Sequence, residues 1–314
     1  MNENVIEEIN KKRKKFLKVM FYLIAILFIA SVLLALFEFK QMFIEHPLFA
    51  IILELIFLLP FPIAIQIVYR HSIKKDISMS SIYAFANKIT KFKQIPFSNQ
   101  ENREYDSYLP SEIDWSKLPV PPEKILFSTI LQKFDIYNIE LRTMFKGLNE
   151  LQQEINLCDL TVFKDFHFGN PEKEFAALIL TIKTSKNLNS ITYLQTHFAW
   201  KEDFDIELSK INLGGNIDVY SNNADIAKKL LTPELAEILN KLKKQFKVEY
   251  AKAVFYNEYI VFVLRSFDEM EHNYFPVNIS LLTPFDISKA GKAVKNFQTL
   301  YDLANQAPEF TKNV

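Results

Sequence analysis

The stretch VEYAKAVFYNEYIVFVLRS, residues 248–266, decides the fold class of the C-terminal part of the chain. It contains two runs, Val248–Tyr256 and Tyr259–Ser266, that are rich in β-branched and aromatic residues. These residue types favour β-strands, and only Asn257 and Glu258 separate the two runs. Two such runs joined by two turn residues predict an antiparallel β-hairpin.

Other strand patterns precede this hairpin. Phe175–Thr184 reads FAALILTIKT, a short apolar run rich in β-forming residues. Ile217 and Val219 alternate with polar residues, as in a strand with one exposed face. Two shorter segments begin further strands: Ile191-Thr192-Tyr193 and Ile206-Glu207-Leu208.

Two helices are predicted among and after these strands. Thr232 and Pro233 form a start signal, with threonine as N-cap and proline at the first helical position. A final helix presents one apolar face, made of Ala290, Ala293, Val294, Phe297, Leu300, Tyr301 and Ala304. Runs of strands with helices near the end predict an α+β domain with a mainly antiparallel sheet over residues 124–305, followed by a tail, 306–314.

The N-terminal part of the chain is apolar. Residues 19–37, VMFYLIAILFIASVLLALF, carry no charge. As a helix this run would be about 28 Å long, close to the ~30 Å hydrocarbon core of a bilayer. Residues 48–69 form a second apolar run after a short loop, 38–47. Since no small-x-small cleavage site follows the first run, the pattern predicts an uncleaved transmembrane hairpin.

Basic residues predict the orientation of this hairpin. Segment 1–18 precedes the first run and holds six of them, whereas the loop has only Lys40. Arg70, Lys74 and Lys75 follow the second run. The positive-inside rule then places both termini in the cytoplasm, and the chain becomes a multi-pass protein of the bacterial inner membrane. The single cysteine agrees with a reducing compartment.

Glu54 is the one acidic residue within the second apolar run, and it allows two interpretations. A carboxylate inside a membrane span is a functional candidate, here for the ion or proton path of an oligomeric channel or transporter subunit. Alternatively, Glu54 reaches the interface or forms a structural pair within an oligomer.

Two segments connect the predicted hairpin to the predicted domain. Residues 70–93 have helical periodicity and several lysines, which indicates a basic amphipathic helix. This helix would lie on the membrane or pack on the domain, and the pattern does not separate the two. Residues 94–123 are polar and contain five prolines, which predicts an extended connector.

Composition limits the classes of function. The chain has 37 basic and 37 acidic residues, and this balance gives no reason to expect a nucleic-acid surface. Glycine occurs only 5 times, and no glycine-rich nucleotide-binding fingerprint is present. The partners predicted instead are the lipid bilayer, a membrane or cytoplasmic protein, and a second copy of the chain.

The stretch Ile217–Lys244, IDVYSNNADIAKKLLTPELAEILNKLKK, carries a resemblance to a known family. Its Val219-Tyr220-Ser221 and Leu231-Thr232-Pro233 resemble the signature of an uncharacterised bacterial family, the domain-of-unknown-function family numbered 3137. Asn222-Asn223 stands where that signature has an acidic pair, and Lys228-Lys229 replaces its arginine. The resemblance spans roughly residues 15–270. It implies two membrane helices, a connector and a soluble domain, and no catalytic residue.

Few residues suggest chemistry. Cys158 and His167 could form a nucleophile and base, with Asp159 or Asp165 as the orienting acid. A buried structural thiol is the alternative, because cysteine is among the most buried residue types. His167 and His197 lack metal-ligand spacing. Two polar clusters are interpreted as loops: Glu202-Asp203-Phe204-Asp205, and Asp268, Glu269, Glu271 and His272.

These patterns predict no catalytic residue, no cofactor and no metal ligand. The function they favour is a non-enzymatic binding or scaffolding module at the inner leaflet. The alternatives are a membrane-bound enzyme whose site assembles from distant residues, and the channel or transporter subunit that would use Glu54.

Overall fold

The computed structural model describes residues 3–38, 93–94, 106–108, 136–166, 170–197, 208–211, 216–267, 274–275, 291–312 and 314. The chain forms two compact units. The first comprises Met1–Phe85 and Pro276–Lys292, and the second comprises Ala86–Phe275 and Ala293–Val314.

The described part of the first unit is dominated by one helix, α1, which runs without a break from Glu3 to Glu38. Among the residues with a described position, no helix is long and apolar enough to cross a membrane. The apolar residues 19–37 are the second half of a helix whose first half is dense in charge, not an element of their own.

The predicted transmembrane hairpin is therefore unsupported. The predictions of an integral membrane protein and of a multi-pass location in the bacterial inner membrane are wrong on the same finding. The second predicted span, 48–69, and Glu54 within it lie outside the described residues.

The second unit contains a ten-stranded sheet, and each pair of neighbouring strands is antiparallel. The order is β1-β3-β4-β5-β10-β9-β6-β8-β7, and β2 also pairs with β3. The predicted α+β class with a mainly antiparallel sheet is confirmed. The strands are β1 (Lys93–Gln94), β2 (Asp106–Tyr108), β3 (Ile136–Leu148), β4 (Glu154–Phe166), β5 (Asn170–Lys183), β6 (Ile191–Thr196), β7 (Ser209–Ile211), β8 (Ile217–Ser221), β9 (Tyr250–Tyr256) and β10 (Tyr259–Ser266).

The predicted hairpin is confirmed as β9 and β10. Tyr256 pairs with Tyr259, so Asn257 and Glu258 form a two-residue turn. Asn257 has a φ of 48°, in the left-handed region that tight hairpin turns require. Asparagine adopts this region more readily than most residues, which explains its place here.

Three more helices follow in the described chain: α2 (Ala224–Leu230), α3 (Pro233–Phe246) and α4 (Gly291–Gln306). All of their residues except the first two of α4 belong to the second unit. The predicted N-cap is confirmed, because Thr232 Oγ1 accepts a hydrogen bond from the Leu235 N–H at 3.2 Å. α3 ends at Phe246, and the next residue, Lys247, caps it with a φ of 53° in the left-handed region. A short 3-10 helix, Ala307–Thr311, follows α4.

The helices cover one face of the sheet. α3 contacts β6, β9 and β10. Phe297 of α4 lies edge-on to Phe145 of β3, with ring centroids 5.2 Å apart, and stacks on Phe275 at 4.1 Å. The Tyr274 hydroxyl lies 3.0 Å from the carbonyl oxygens of Ala176 and Leu264 and so holds its segment against two neighbouring strands.

The opposite face carries a second apolar layer. Because successive side chains of a strand alternate between faces, this layer takes every second residue of the central strands. Its buried members are Ile139, Cys158, Leu160, Val162, Phe175, Ala177, Ile179, Ile191, Tyr193, Val254, Val261 and Val263. The same face also carries three buried polar or charged side chains: Gln195 of β6, Lys252 of β9 and Arg265 of β10.

Parts of the predicted connector belong to the sheet. β2 lies inside residues 94–123, and β1 spans the boundary between that segment and the predicted helix 70–93. Both strands pair with β3, which the sequence patterns did not predict. β3 has two register shifts against β4, and each shift interrupts the regular alternation on which strand prediction depends.

Candidate functional site

Two charged side chains and a histidine meet where β6, β7 and β8 lie side by side at one end of the sheet order. His197 directly follows β6, Lys210 lies in β7 and Asp218 lies in β8. The backbone N–H of His197 donates to the Asn216 carbonyl, which keeps His197 in register with the start of β8. We call His197, Lys210 and Asp218 the edge cluster.

Asp218 is the centre of the edge cluster. Its Oδ1 lies 2.8 Å from Lys210 Nζ, and its Oδ2 lies 3.0 Å from His197 Nδ1. The Asp218 side chain is 14% exposed, whereas those of His197 and Lys210 are 73% and 56% exposed. The largely buried carboxylate of Asp218 thus contacts two exposed side chains, His197 directly after β6 and Lys210 in β7.

The pKa of Asp218 reflects this arrangement. Burial opposes ionisation, but the hydrogen bonds from Lys210 and His197 outweigh it, so the pKa lies below its ordinary value. The same hydrogen bond, reinforced by Tyr220, raises the pKa of Lys210. Asp218 and Lys210 are therefore an ion pair at neutral pH. Lys210 Nζ also lies 5.8 Å from the centre of the Tyr220 ring.

A polar row runs from the edge cluster into the sheet. Gln195 of β6 pairs with Asp218 on one side and with Lys252 of β9 on the other. Gln195 is buried, and within the described ranges its Oε1 has no hydrogen-bond partner. Lys252 is fully buried, with Nζ 5.7 Å and 5.5 Å from the ring centres of Tyr193 and Tyr250.

A second buried cation lies further along the same face. The guanidinium carbon of Arg265 is 3.7 Å from the centre of the Phe175 ring and 4.6 Å from that of Phe267. Arg265 Nη1 donates to the Tyr250 hydroxyl at 2.7 Å. Aromatic faces thus surround the charge, which favours a planar guanidinium at this position.

Cys158 is remote from the edge cluster. It lies in β4 and is fully buried in the apolar layer. Burial, followed by the charge of Asp159, raises the pKa of its thiol. Asp159 is the next residue in the strand, so its side chain lies on the opposite face. The structure therefore does not bring the thiol and this carboxylate together.

Several residues that the sequence singled out cannot be assigned to a site. His167, Glu202-Asp203-Phe204-Asp205, and the cluster of Asp268, Glu269, Glu271 and His272 lie outside the described residues, as does the side chain of Asp165. In the ranges that are described, no three or more His, Cys, Asp or Glu side chains form a group that could hold a metal ion.

Sequence reasoning considered His197 but missed its two partners. Lys210 and Asp218 are separated from it by 13 and 21 residues, and only the pairing of β6, β7 and β8 brings the three together. The two buried cations, by contrast, could have been predicted from the sequence. Lys252 and Arg265 interrupt the apolar pattern of the hairpin, and a charge within such a strand indicates a specific environment.

Comparisons with known proteins add little. No family model matches the chain, so the resemblance to the family numbered 3137 stays a prediction, and no curated protein matches it. Among solved structures, the chain is similar to the crystal structure of the mycobacterial trehalose monomycolate transport factor A, TtfA. The sequence identity is 10% and the TM-score is 0.36, over 72% of this chain and 93% of that one. Likeness at this level supports no inference about function.

Proposed function

We propose that the sheet domain is a non-enzymatic binding module and that the edge cluster is its contact surface. One observation carries the proposal: the Asp218 carboxylate contacts both His197 and Lys210 and so fixes these two exposed side chains in one arrangement. Side chains that are already ordered lose less conformational entropy when a partner binds. Fixed charges at an exposed edge also select partners by electrostatic complementarity.

The chemistry of the edge cluster suits a polar protein segment. Lys210 can donate hydrogen bonds to a carboxylate or carbonyl of a partner. When His197 Nδ1 donates to Asp218, the other ring nitrogen of a neutral imidazole can accept one, and the half-buried Tyr220 ring beside Lys210 offers an apolar surface. Such mixed contacts are typical of the polar rim of protein interfaces.

The state of the thiol argues against nucleophilic catalysis by Cys158. The side chain is fully buried in the apolar layer, and burial raises the pKa of the thiol, so little thiolate forms. His167, the base that the sequence suggested for it, lies outside the described residues. His197 cannot take its place, because four steps in the strand order, about 19 Å at ~4.8 Å per strand, separate β4 from β6.

One observation favours an enzyme as a second candidate. His197 Nδ1 is 3.0 Å from Asp218, as in sites where a carboxylate orients a histidine base.

Affinity capture with the full-length chain tests the proposal. Wild type, Lys210→Ala and His197→Gln are immobilised, and the proteins recovered from a lysate are quantified by mass spectrometry. We expect a partner that the wild type retains and that both variants lose. The matched control is Lys183→Ala, which breaks an exposed ion pair with Glu258 (3.2 Å) away from the edge cluster.

Two results would contradict the binding function. In the first, Lys210→Ala and Lys183→Ala recover the same proteins as the wild type. In the second, the chain turns over a general hydrolase or transferase substrate, and His197→Gln abolishes that turnover. The second result would instead support the enzyme.

A further inference from the structure

Helix α1 carries a seam of exposed apolar side chains. Val19, Tyr22, Ile26 and Ile29 are between 49% and 62% exposed. They follow one another at intervals of three, four and three residues, which places them on one narrow stripe of the helix. Exposed apolar side chains that form a contiguous stripe indicate a contact surface.

The spacing is that of a coiled coil. In a heptad, these four residues occupy the two core positions, a and d, in alternation. Val19 and Ile26 are then the a residues, and Tyr22 and Ile29 are the d residues. Leu23, also exposed, lies at the adjacent e position and widens the seam.

The same seam becomes cationic toward the N-terminus. Continuing the heptad backwards places Lys12 at an a position and Lys15 at a d position, with Lys11 and Lys18 at the flanking g positions. All four lysines are exposed. One side of α1 therefore presents four positive charges followed by an apolar stripe.

We infer that α1 docks an amphipathic helix of another protein, apolar where it meets residues 19–29 and acidic where it meets residues 11–18. Charge complementarity selects this occupant, because carboxylates at the facing positions would pair with Lys11, Lys15 and Lys18. This inference goes beyond the proposed function, since it concerns a different unit of the chain and does not involve the edge cluster.

A second copy of α1 does not place an acidic segment opposite residues 11–18. In a parallel pair of α1 helices, Lys15 would face Lys15, and like charges at a core position are destabilising. In an antiparallel pair that overlaps residues 19–29, Lys15 and Lys18 would lie beside Leu33 and Ala30 of the other copy, which offer no carboxylate, and only Lys11 would lie near one, that of Glu38.

Fluorescence anisotropy with designed helical peptides tests the inference on the full-length chain. The probe has leucine at seam positions opposite residues 19–29 and glutamate at positions opposite residues 11–18, and a matched peptide has lysine in place of glutamate. We expect the acidic peptide to bind and the basic peptide not to bind. Ile26→Ser should weaken binding about tenfold, which corresponds to ~1.4 kcal/mol. Phe21→Ser is the matched control, because Phe21 is 71% exposed but lies off the seam.

Charge reversal gives a gain of binding that misfolding cannot mimic. The double variant Lys15→Glu with Lys18→Glu should lose the acidic peptide and bind the basic one. The inference is overturned if the variant and wild type show the same peptide preference, or if Phe21→Ser weakens binding as much as Ile26→Ser. It is also overturned if the peptides do not bind while phosphatidylglycerol vesicles or a second copy of the chain do.

Discussion

At the scale of single residues, Asp218 shows how a carboxylate can organise a surface. Burial alone would raise its pKa, yet Lys210 and His197 together lower it. A group with a lowered pKa in the folded state stabilises the fold above its ordinary pKa. That contribution is lost as the pH falls through the lowered value. The ion pair therefore persists through the neutral range and fails only in acid, below the ordinary value of 3.8.

The Asp218 pKa gives the first prediction. Lys210→Ala should raise it toward the ordinary value, because the variant removes the stronger of its two hydrogen bonds. The measurement is a carbon-detected NMR titration of the Asp218 carboxyl. Lys228→Ala, which removes an exposed lysine beside Asp225, should leave the Asp218 pKa unchanged. An identical titration in wild type and Lys210→Ala would contradict the role given to Lys210.

The reactivity of Cys158 gives a second prediction. The thiol is fully buried and its pKa is raised, so little thiolate should form and reagents should not reach it. We expect native protein to resist alkylation by iodoacetamide at mildly alkaline pH, and protein unfolded in guanidinium chloride to take up one equivalent. Since the chain has a single cysteine, intact-mass spectrometry reads the result directly. Rapid modification of the native protein would show that Cys158 is accessible.

At the scale of elements, the start of α3 depends on a short local pattern. Thr232→Ala should destabilise the domain by ~0.5–2 kcal/mol, because it removes the acceptor for the Leu235 N–H. Thr232→Ser keeps a hydroxyl and should cost less. Urea unfolding monitored by circular dichroism compares the three proteins. If Thr232→Ala unfolds at the wild-type midpoint, the cap does not stabilise α3.

Local patterns also explain which elements could be predicted. The β9–β10 hairpin and the start of α3 depend on residues that are neighbours in the chain, so both could be predicted from the sequence alone. β3 was missed because its register shifts break the alternation, and β1 and β2 because each is at most three residues long. The edge cluster could not be predicted, since its three residues meet only after β6, β7 and β8 have paired.

At the scale of the whole molecule, the second unit extends beyond the predicted domain of residues 124–305. β1 and β2 precede those limits and pair with β3. At the other end, Ala307, Phe310 and Thr311 are buried, and Lys186 Nζ donates to the Thr311 carbonyl at 2.7 Å. Three residues of the segment 306–314, which the prediction assigned to a tail, therefore belong to the packed core.

Two fragments test these limits. Residues 86–314 should unfold cooperatively and be more stable than residues 124–305 by at least about 2 kcal/mol, the contribution expected from burying one phenylalanine side chain. Urea denaturation of both fragments gives the comparison. Equal stability would mean that β1, β2 and the 3-10 helix contribute nothing to the fold.

Site-specific photocrosslinking tests most directly the claim that the edge cluster contacts a partner. A photoreactive amino acid replaces His197 in one version of the full-length chain and Glu258, at the tip of the β9–β10 hairpin, in the other. The proposed function predicts a discrete adduct of defined mass at position 197 and none at position 258. Equal labelling at both positions, or an adduct only at position 258, would contradict it.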